Sequence, residues 1–156
     1  MIAAAMPLHP SIVVMPLALA FALAGLDLAR LRFGGAPLRM AALGVNVALV
    51  AACLGAVMSG QAEGGRIATD PALLSQMTLH ARLATVASLS ATALLFVRAA
   101  RWRLETAWTR RLVAAMAVGL LGLVLFTGRQ GGRLVFEHGA GVRRPPWDID
   151  PMKKGR

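Results

Sequence analysis

Long runs of apolar residues, separated by short polar stretches, dominate the chain. Four runs have about the 20 residues that a helix needs to cross a bilayer core of about 30 Å. Backbone polar groups cannot stay unpaired in lipid, so these runs are predicted to be helices. The sequence therefore predicts an all-α integral membrane protein, built as a four-helix transmembrane bundle. The predicted spans run from about Ser11 to Leu31, Leu38 to Ser59, Met77 to Val97 and Leu112 to Thr127.

Composition supports burial in lipid. Hydrophobic residues make up 57% of the 156 residues and charged residues 15%, against about 45–50% and about 25% in a soluble domain. The net charge is +10, but the basic residues lie between the apolar runs, which fits a membrane topology better than nucleic-acid binding. We expect a lipid bilayer and no nucleic acid as partner. The single cysteine, Cys53, excludes a disulfide framework and a thiolate zinc site.

The distribution of basic residues predicts the orientation. The first and third connections carry eight arginines, whereas the N-terminus and second connection offer only Arg66 and Arg82. The positive-inside rule then places both basic turns in the cytoplasm and both termini outside. The chain after Thr127 adds seven basic residues, which would give nine outside against eight inside. The first span nevertheless favours the orientation with both termini outside, because Arg30 and Arg32 follow it closely and no basic residue precedes it.

Two polar residues lie inside predicted spans. Asp27 is one helical turn from Arg30, so a local ion pair between them is expected. Asn46 is expected to form a hydrogen bond to a neighbouring helix. Neither residue by itself indicates an ion path, which disfavours a transporter.

The three histidines are predicted to lie on one side of the membrane. His9 lies at the outer mouth of the first span, His80 at the outer end of the third, and His138 after the fourth. Two imidazoles at one depth on two helices are what bis-axial ligation of a b-type haem requires. We expect His9 and His80 to bind the haem iron, with His138 in reserve. The alternative is that these are interfacial histidines without a ligand.

Arginines near the same end are candidates to pair with the haem propionates, because guanidinium groups bind carboxylates strongly. These candidates are Arg82, Arg129 and Arg133.

Several of these features together resemble domain of unknown function 2231, a family of small four-helix bacterial membrane proteins. They are His9-Pro10 at the start of a helix, a histidine at the head of the third helix, and Gly131-Gly132-Arg133-Leu134-Val135-Phe136-Glu137-His138-Gly139-Ala140-Gly141-Val142 after the fourth. The resemblance covers about Pro7 to Val142. It implies a relation to dihaem cytochrome b membrane proteins, and therefore haem ligation by His9 and His80 and, less directly, by His138. The chain departs from the family at Ser59-Gly60-Gln61, where an acidic residue is expected.

The glycines after the fourth span predict a change in chain direction. Residues 1–142 are interpreted as one transmembrane domain, in which the glycine-rich outer segment 128–142 turns back over the outer mouth. Residues 143–156 form a basic polar tail.

Two functions remain open at this point. The first is a subunit of the bacterial inner membrane that binds haem b and passes electrons between the quinone pool and an outward-facing redox partner. It would act with other subunits of a membrane redox complex. The alternative is a scaffold or anchor subunit of a larger complex, with no cofactor. Whether the chain is itself an enzyme is left open.

Overall fold

The computed structural model describes residues 8–64, 71–102 and 106–137, and within these ranges the chain is helical apart from short turns. The four longer helices are each long and apolar enough to cross a membrane. The predicted fold class, an all-α four-helix transmembrane bundle, is confirmed. The helices are α1 (Leu8–Ile12), α2 (Val14–Phe33), α3 (Ala36–Gly64), α4 (Pro71–Ala100) and α5 (Ala107–Phe136).

The four spans pack in a ring in which each helix contacts two others. Helix α2 packs against α3 and α5, and α4 packs against the same two helices. Helices α2 and α4 therefore stand at opposite corners of the bundle, as do α3 and α5. The short α1 packs against α3 and α2 at the end where α2 begins. Short connections between successive spans produce this antiparallel arrangement.

The centre of the bundle is filled by leucines and alanines, whereas large apolar side chains cover the outside. Leu23, Leu49 and Leu94 are fully buried, and Ala42 and Ala91 lie beside them in the same core. Small residues let helix backbones approach closely, which is how membrane helices gain packing energy. The outer surface exposes apolar side chains to lipid, among them Phe21, Leu28, Val47, Leu54, Leu89, Phe96, Leu125 and Phe126.

The first connection is a tight turn between α2 and α3, as the sequence predicts. Gly34 and Gly35 have φ angles of 64° and 91°, in the left-handed region that favours glycine. At the same end, α5 begins with a capping box between Thr106 and Thr109, in which the side-chain oxygen of each residue accepts a hydrogen bond from the backbone N–H of the other. Both basic connections therefore lie at one end of the bundle.

Helix α5 is longer than the predicted fourth span. It continues through Gly128, Gly131 and Gly132 to Phe136, so the expected turn back after Thr127 is wrong for residues up to Phe136. Glycine costs a helix only about 1 kcal/mol relative to alanine, and packing of α5 against α4 maintains the helix. Residues 138–142 of the predicted outer segment, with His138, lie outside the described residues, as does the tail 143–156.

Candidate functional site

The structure brings two of the three histidines together at one end of the bundle. His9 lies on α1, and His80 follows the first residue of α4, Pro71, by nine positions, which is about two and a half turns. Their ring centroids are 6.4 Å apart with the ring planes at 86°. His9 belongs to the short helix α1, which packs against α3 and α2, so the ring contact joins this segment to α4. His138 lies outside the described residues.

Hydrogen bonds position both rings and determine which nitrogen of a neutral His80 ring carries the proton. The Ser59 hydroxyl donates to the Ala56 carbonyl at 3.0 Å and lies 2.9 Å from His9 Nδ1. His80 Nδ1 lies 3.1 Å from the Thr127 carbonyl oxygen, which can only accept. A neutral His80 ring therefore carries its proton on Nδ1 and its lone pair on Nε2. An Nδ1 hydrogen bond of this kind orients the histidines that bind metals.

Each histidine ring lies directly against a glycine of a neighbouring helix. A Cβ atom at Gly60 of α3 would lie 3.0 Å from His9 Cε1, and one at Gly131 of α5 would lie 2.9 Å from His80 Cε1. Carbon atoms are normally about 3.5–4.0 Å apart at contact, so a larger residue at either position would displace the ring. Ser59 and Gly60 belong to the stretch that departs from the family pattern. Ser59 positions His9 through its hydroxyl, and Gly60 leaves room for the His9 ring because it has no side chain.

The arginines predicted to pair with propionates lie near the same end. Arg82 and Arg129 are exposed, two residues beyond His80 and Thr127 respectively. Arg133 is also exposed, and its Nε is 3.0 Å from a carboxylate oxygen of Glu137. Across the described ranges, no group of three or more His, Cys, Asp or Glu side chains is arranged to hold a metal ion.

A buried ion pair joins opposite corners at the other end of the bundle. The Asp27 carboxylate on α2 accepts two hydrogen bonds from Arg98 on α4, at 3.0 and 2.6 Å, and one from Arg30 at 2.9 Å. The expected pairing of Asp27 with Arg30 is confirmed. The sequence reasoning missed Arg98, which it assigned to the third connection. The sequence signal is a matched spacing, because Asp27 follows His9, and Arg98 follows His80, by 18 residues.

Asn46 extends this network to α3. Its Nδ2 donates to the Ala91 carbonyl on α4 at 3.1 Å, which confirms the expected hydrogen bond to a neighbouring helix. Its Oδ1 lies 3.4 Å from Arg98 Nε. Because Asn46 is fully buried, both ends of its amide need partners inside the bundle.

Comparison with known protein families assigns the chain. The sequence profile of DUF2231, described as a predicted membrane protein, matches residues 5–144. The chain belongs to the DUF2231 family. Neither the curated proteins nor the solved structures contain a match to this chain. The relation to cytochromes that the resemblance implies stays a prediction.

In this DUF2231 protein, two polar contacts of α4 lie at opposite ends of the bundle. His80 and Arg98 on α4 are 18 residues apart, which is about 27 Å along a helix. Most of the thickness of an apolar bilayer core therefore separates the histidine pair from the ion pair.

Proposed function

We propose that this DUF2231 protein is a membrane electron-transfer subunit that binds b-type haem through His9 and His80. The meeting of these two rings at one end of the bundle carries the proposal. The alternative, two interfacial histidines without a ligand, does not require two rings in edge-on contact or a glycine beside each ring. Histidine side chains are among the protein ligands that would hold a haem iron here.

The closeness of the two rings suits ligation by both histidines. Imidazole nitrogen is the protein ligand most often used to hold a metal, and two imidazoles this close together could be ligands of the same haem iron. The centroids of His9 and His80 are 6.4 Å apart. The Thr127 carbonyl oxygen accepts from Nδ1 of a neutral His80 ring, which gives Nε2 as the ligating atom of that ring. The residue types present therefore suit a haem iron that would be held by two histidines.

The surrounding residues suit the remaining requirements. Haem supplies reversible one-electron chemistry when bound. Arg82 and Arg129 are exposed near the pair and would attract the carboxylate groups of the propionates, whereas Arg133 would first have to leave Glu137. Ser59 and the Thr127 carbonyl would hold the ligand rings in orientation. We place this end of the bundle outside the cytoplasmic membrane of a bacterium, where the electrons would pass between the quinone pool and an outward-facing partner subunit.

Absorption spectroscopy tests the proposal. The full chain, produced with ample haem and purified in detergent, is expected to show b-type bands in a reduced-minus-oxidised spectrum. His9→Ala and His80→Ala are each expected to remove one axial ligand, and so to lower haem retention at least tenfold or convert the spectrum to a five-coordinate form.

His138→Ala tests the reserve ligand separately, because it removes the remaining histidine of the chain. It should keep normal b-type bands. Protein without b-type bands would contradict the proposal and favour a scaffold subunit. Normal bands in both His9→Ala and His80→Ala, with loss in His138→Ala, would move the ligand role to His138.

A further inference from the structure

A cleft lined by arginines lies at the end of the bundle opposite the histidines. It is a shallow, open cleft between the α2–α3 turn and the segment after α4. Five arginines line it, and they come from all four spans and the segment after α4. The lining used below is Arg30, Arg39, Arg98, Arg101, Trp102 and Arg110.

The cleft keeps a large positive charge after its internal ion pair is counted. Five guanidinium groups and the Asp27 carboxylate leave 5 − 1 = +4. Glu105 is the acidic residue in the connection to α5 and lies outside the described residues. If the negative charge of Glu105 is also subtracted in full, the net charge of the cleft is still +3. A concentration of positive charge in a cleft with low-dielectric walls attracts anions.

The cleft is also held in shape. Arg39 on α3 stacks over the Trp102 ring, with 4.3 Å between its Cζ and the ring centroid, and its Nη1 donates to the Trp102 carbonyl at 3.3 Å. Arg98 is fixed by its two bonds to Asp27. These contacts orient two of the lining guanidinium groups, which reduces the entropy lost when an anion binds.

The surroundings of the cleft favour an amphiphilic anion over a free one. Phe33 precedes the α2–α3 turn and is 76% exposed, and Trp108 precedes Thr109 in the lining and is 71% exposed. The arginines lie within three residues of a helix end at this side, the depth at which lipid phosphates meet the protein. Exposed apolar groups beside a basic cleft at that depth match acyl chains joined to a phosphate.

We propose that this cleft binds the phosphate headgroup of an anionic phospholipid. Arg101 and Arg110 reach the phosphate, while Arg39 and Arg98 are held by Trp102 and Asp27 and supply the fixed part of the field. Guanidinium groups suit this role because they bind phosphate oxygens in pairs. The proposal is independent of haem, since it uses no residue of the histidine end.

Thermal unfolding of the full chain in detergent, with added lipid, tests the proposal. The probes are short-chain phosphatidylglycerol, phosphatidylcholine of the same chain length, and inorganic phosphate at equal concentrations. Phosphatidylglycerol is expected to raise Tm by several degrees, and the other two by less than about 1 °C. In the double variant Arg101→Gln/Arg110→Gln, the phosphatidylglycerol concentration that produces half of the maximal Tm shift should rise at least tenfold.

Arg32→Gln/Arg111→Gln is the matched control, because both residues are exposed at the same end and do not belong to the lining. This control removes the same number of positive charges from other positions and should change the phosphatidylglycerol concentration for half of the Tm shift less than twofold. The single variant Arg101→Gln, on an exposed side chain, should give at least a threefold rise, and circular dichroism should show unchanged helix content in all variants.

Three results would overturn the proposal. An equal loss in both double variants would show attraction to general surface charge. An equal response to phosphatidylcholine would show that the negative charge of the lipid has no part in binding. An equal Tm shift with inorganic phosphate would assign the cleft to a soluble anion.

Discussion

At the scale of single residues, Asp27 shows how this chain places charge inside an apolar bundle. The Asp27 side chain is fully buried, and the side chains of its two arginine partners are almost fully buried. A buried charge is tolerated when it is paired and hydrogen-bonded. Asp27 neutralises only one of the two guanidinium charges, so the group as a whole stays positive. The excess charge lies beside the arginine cleft, where an anion would balance it.

Removing this carboxylate should destabilise the protein strongly. Asp27→Asn keeps the shape of the side chain but leaves Arg30 and Arg98 buried without a counter-charge, so the free energy of unfolding should fall by about 3–5 kcal/mol. Arg98→Met should cost less, because Asp27 keeps Arg30. The measurement is reversible denaturation in mixed micelles.

The exposed pair between Arg133 and Glu137 provides the control for that series. Arg133→Gln should cost less than about 1 kcal/mol, because exposed ion pairs contribute little. A cost for Asp27→Asn no larger than that for Arg133→Gln would contradict the interpretation that the ion pair holds opposite corners of the bundle together.

At the scale of helices, α5 supports the histidine site through a single glycine. Gly131 lies under the His80 ring, and the Thr127 carbonyl one turn earlier accepts the hydrogen bond from the same ring. Gly128 and Gly132 have open space where a Cβ would be. Of these three glycines, only Gly131 has a neighbouring side chain where a Cβ would be.

Alanine substitutions on α5 should separate these glycines. Gly132→Ala should raise the free energy of unfolding by about 0.5–1 kcal/mol, because alanine is the better helix former and meets no neighbour. Gly131→Ala should lower it by about 1–3 kcal/mol, because its Cβ overlaps the His80 ring. Thermal unfolding measures the stability, and the NMR shifts of the His80 ring report its displacement. Changes of the same sign in both variants would contradict the contact.

At the scale of the whole molecule, polar side chains of α4 contact the first two helices of the chain at both ends of the bundle. His9 and His80 meet at one mouth, and Asp27 binds Arg98 at the other. The two contacts differ in chemistry, since one end presents imidazoles and the other presents excess positive charge. The proposed haem and the proposed lipid would therefore occupy opposite faces of the membrane.

Cysteine labelling should show this sidedness directly. Cys53 is buried, and Cys53→Ala provides the background for two single variants. Gln61→Cys, next to Gly60 at the histidine end, should react with a membrane-impermeant maleimide in intact cells. Arg111→Cys, at the arginine end, should react only after lysis, because the basic connections are expected in the cytoplasm. The reverse pattern would invert the orientation, and labelling of both from one side would contradict the bundle.

The positions of the four spans were predictable from the sequence alone. The sequence also predicted that the histidines lie at one end of the bundle and the arginine-rich connections at the other. Runs of about 20 apolar residues suffice to predict four helices, because lipid permits few other structures. Successive spans alternate in direction, so His9 and His80 had to lie at one end and both arginine-rich connections at the other. The pairing of Asp27 with Arg30 followed from helical spacing.

Only the tertiary structure decided which residues meet. The burial of Arg98 depends on the distance between two helices that do not adjoin in the bundle, and no local pattern distinguishes it from the exposed Arg101 nearby. The extension of α5 to Phe136 depends on packing against α4, which outweighs the weak helix propensity of its glycines. The contacts of His80 with Gly131 and with the Thr127 carbonyl likewise arise between helices, because sequence periodicity defines a face but not the partner that packs on it.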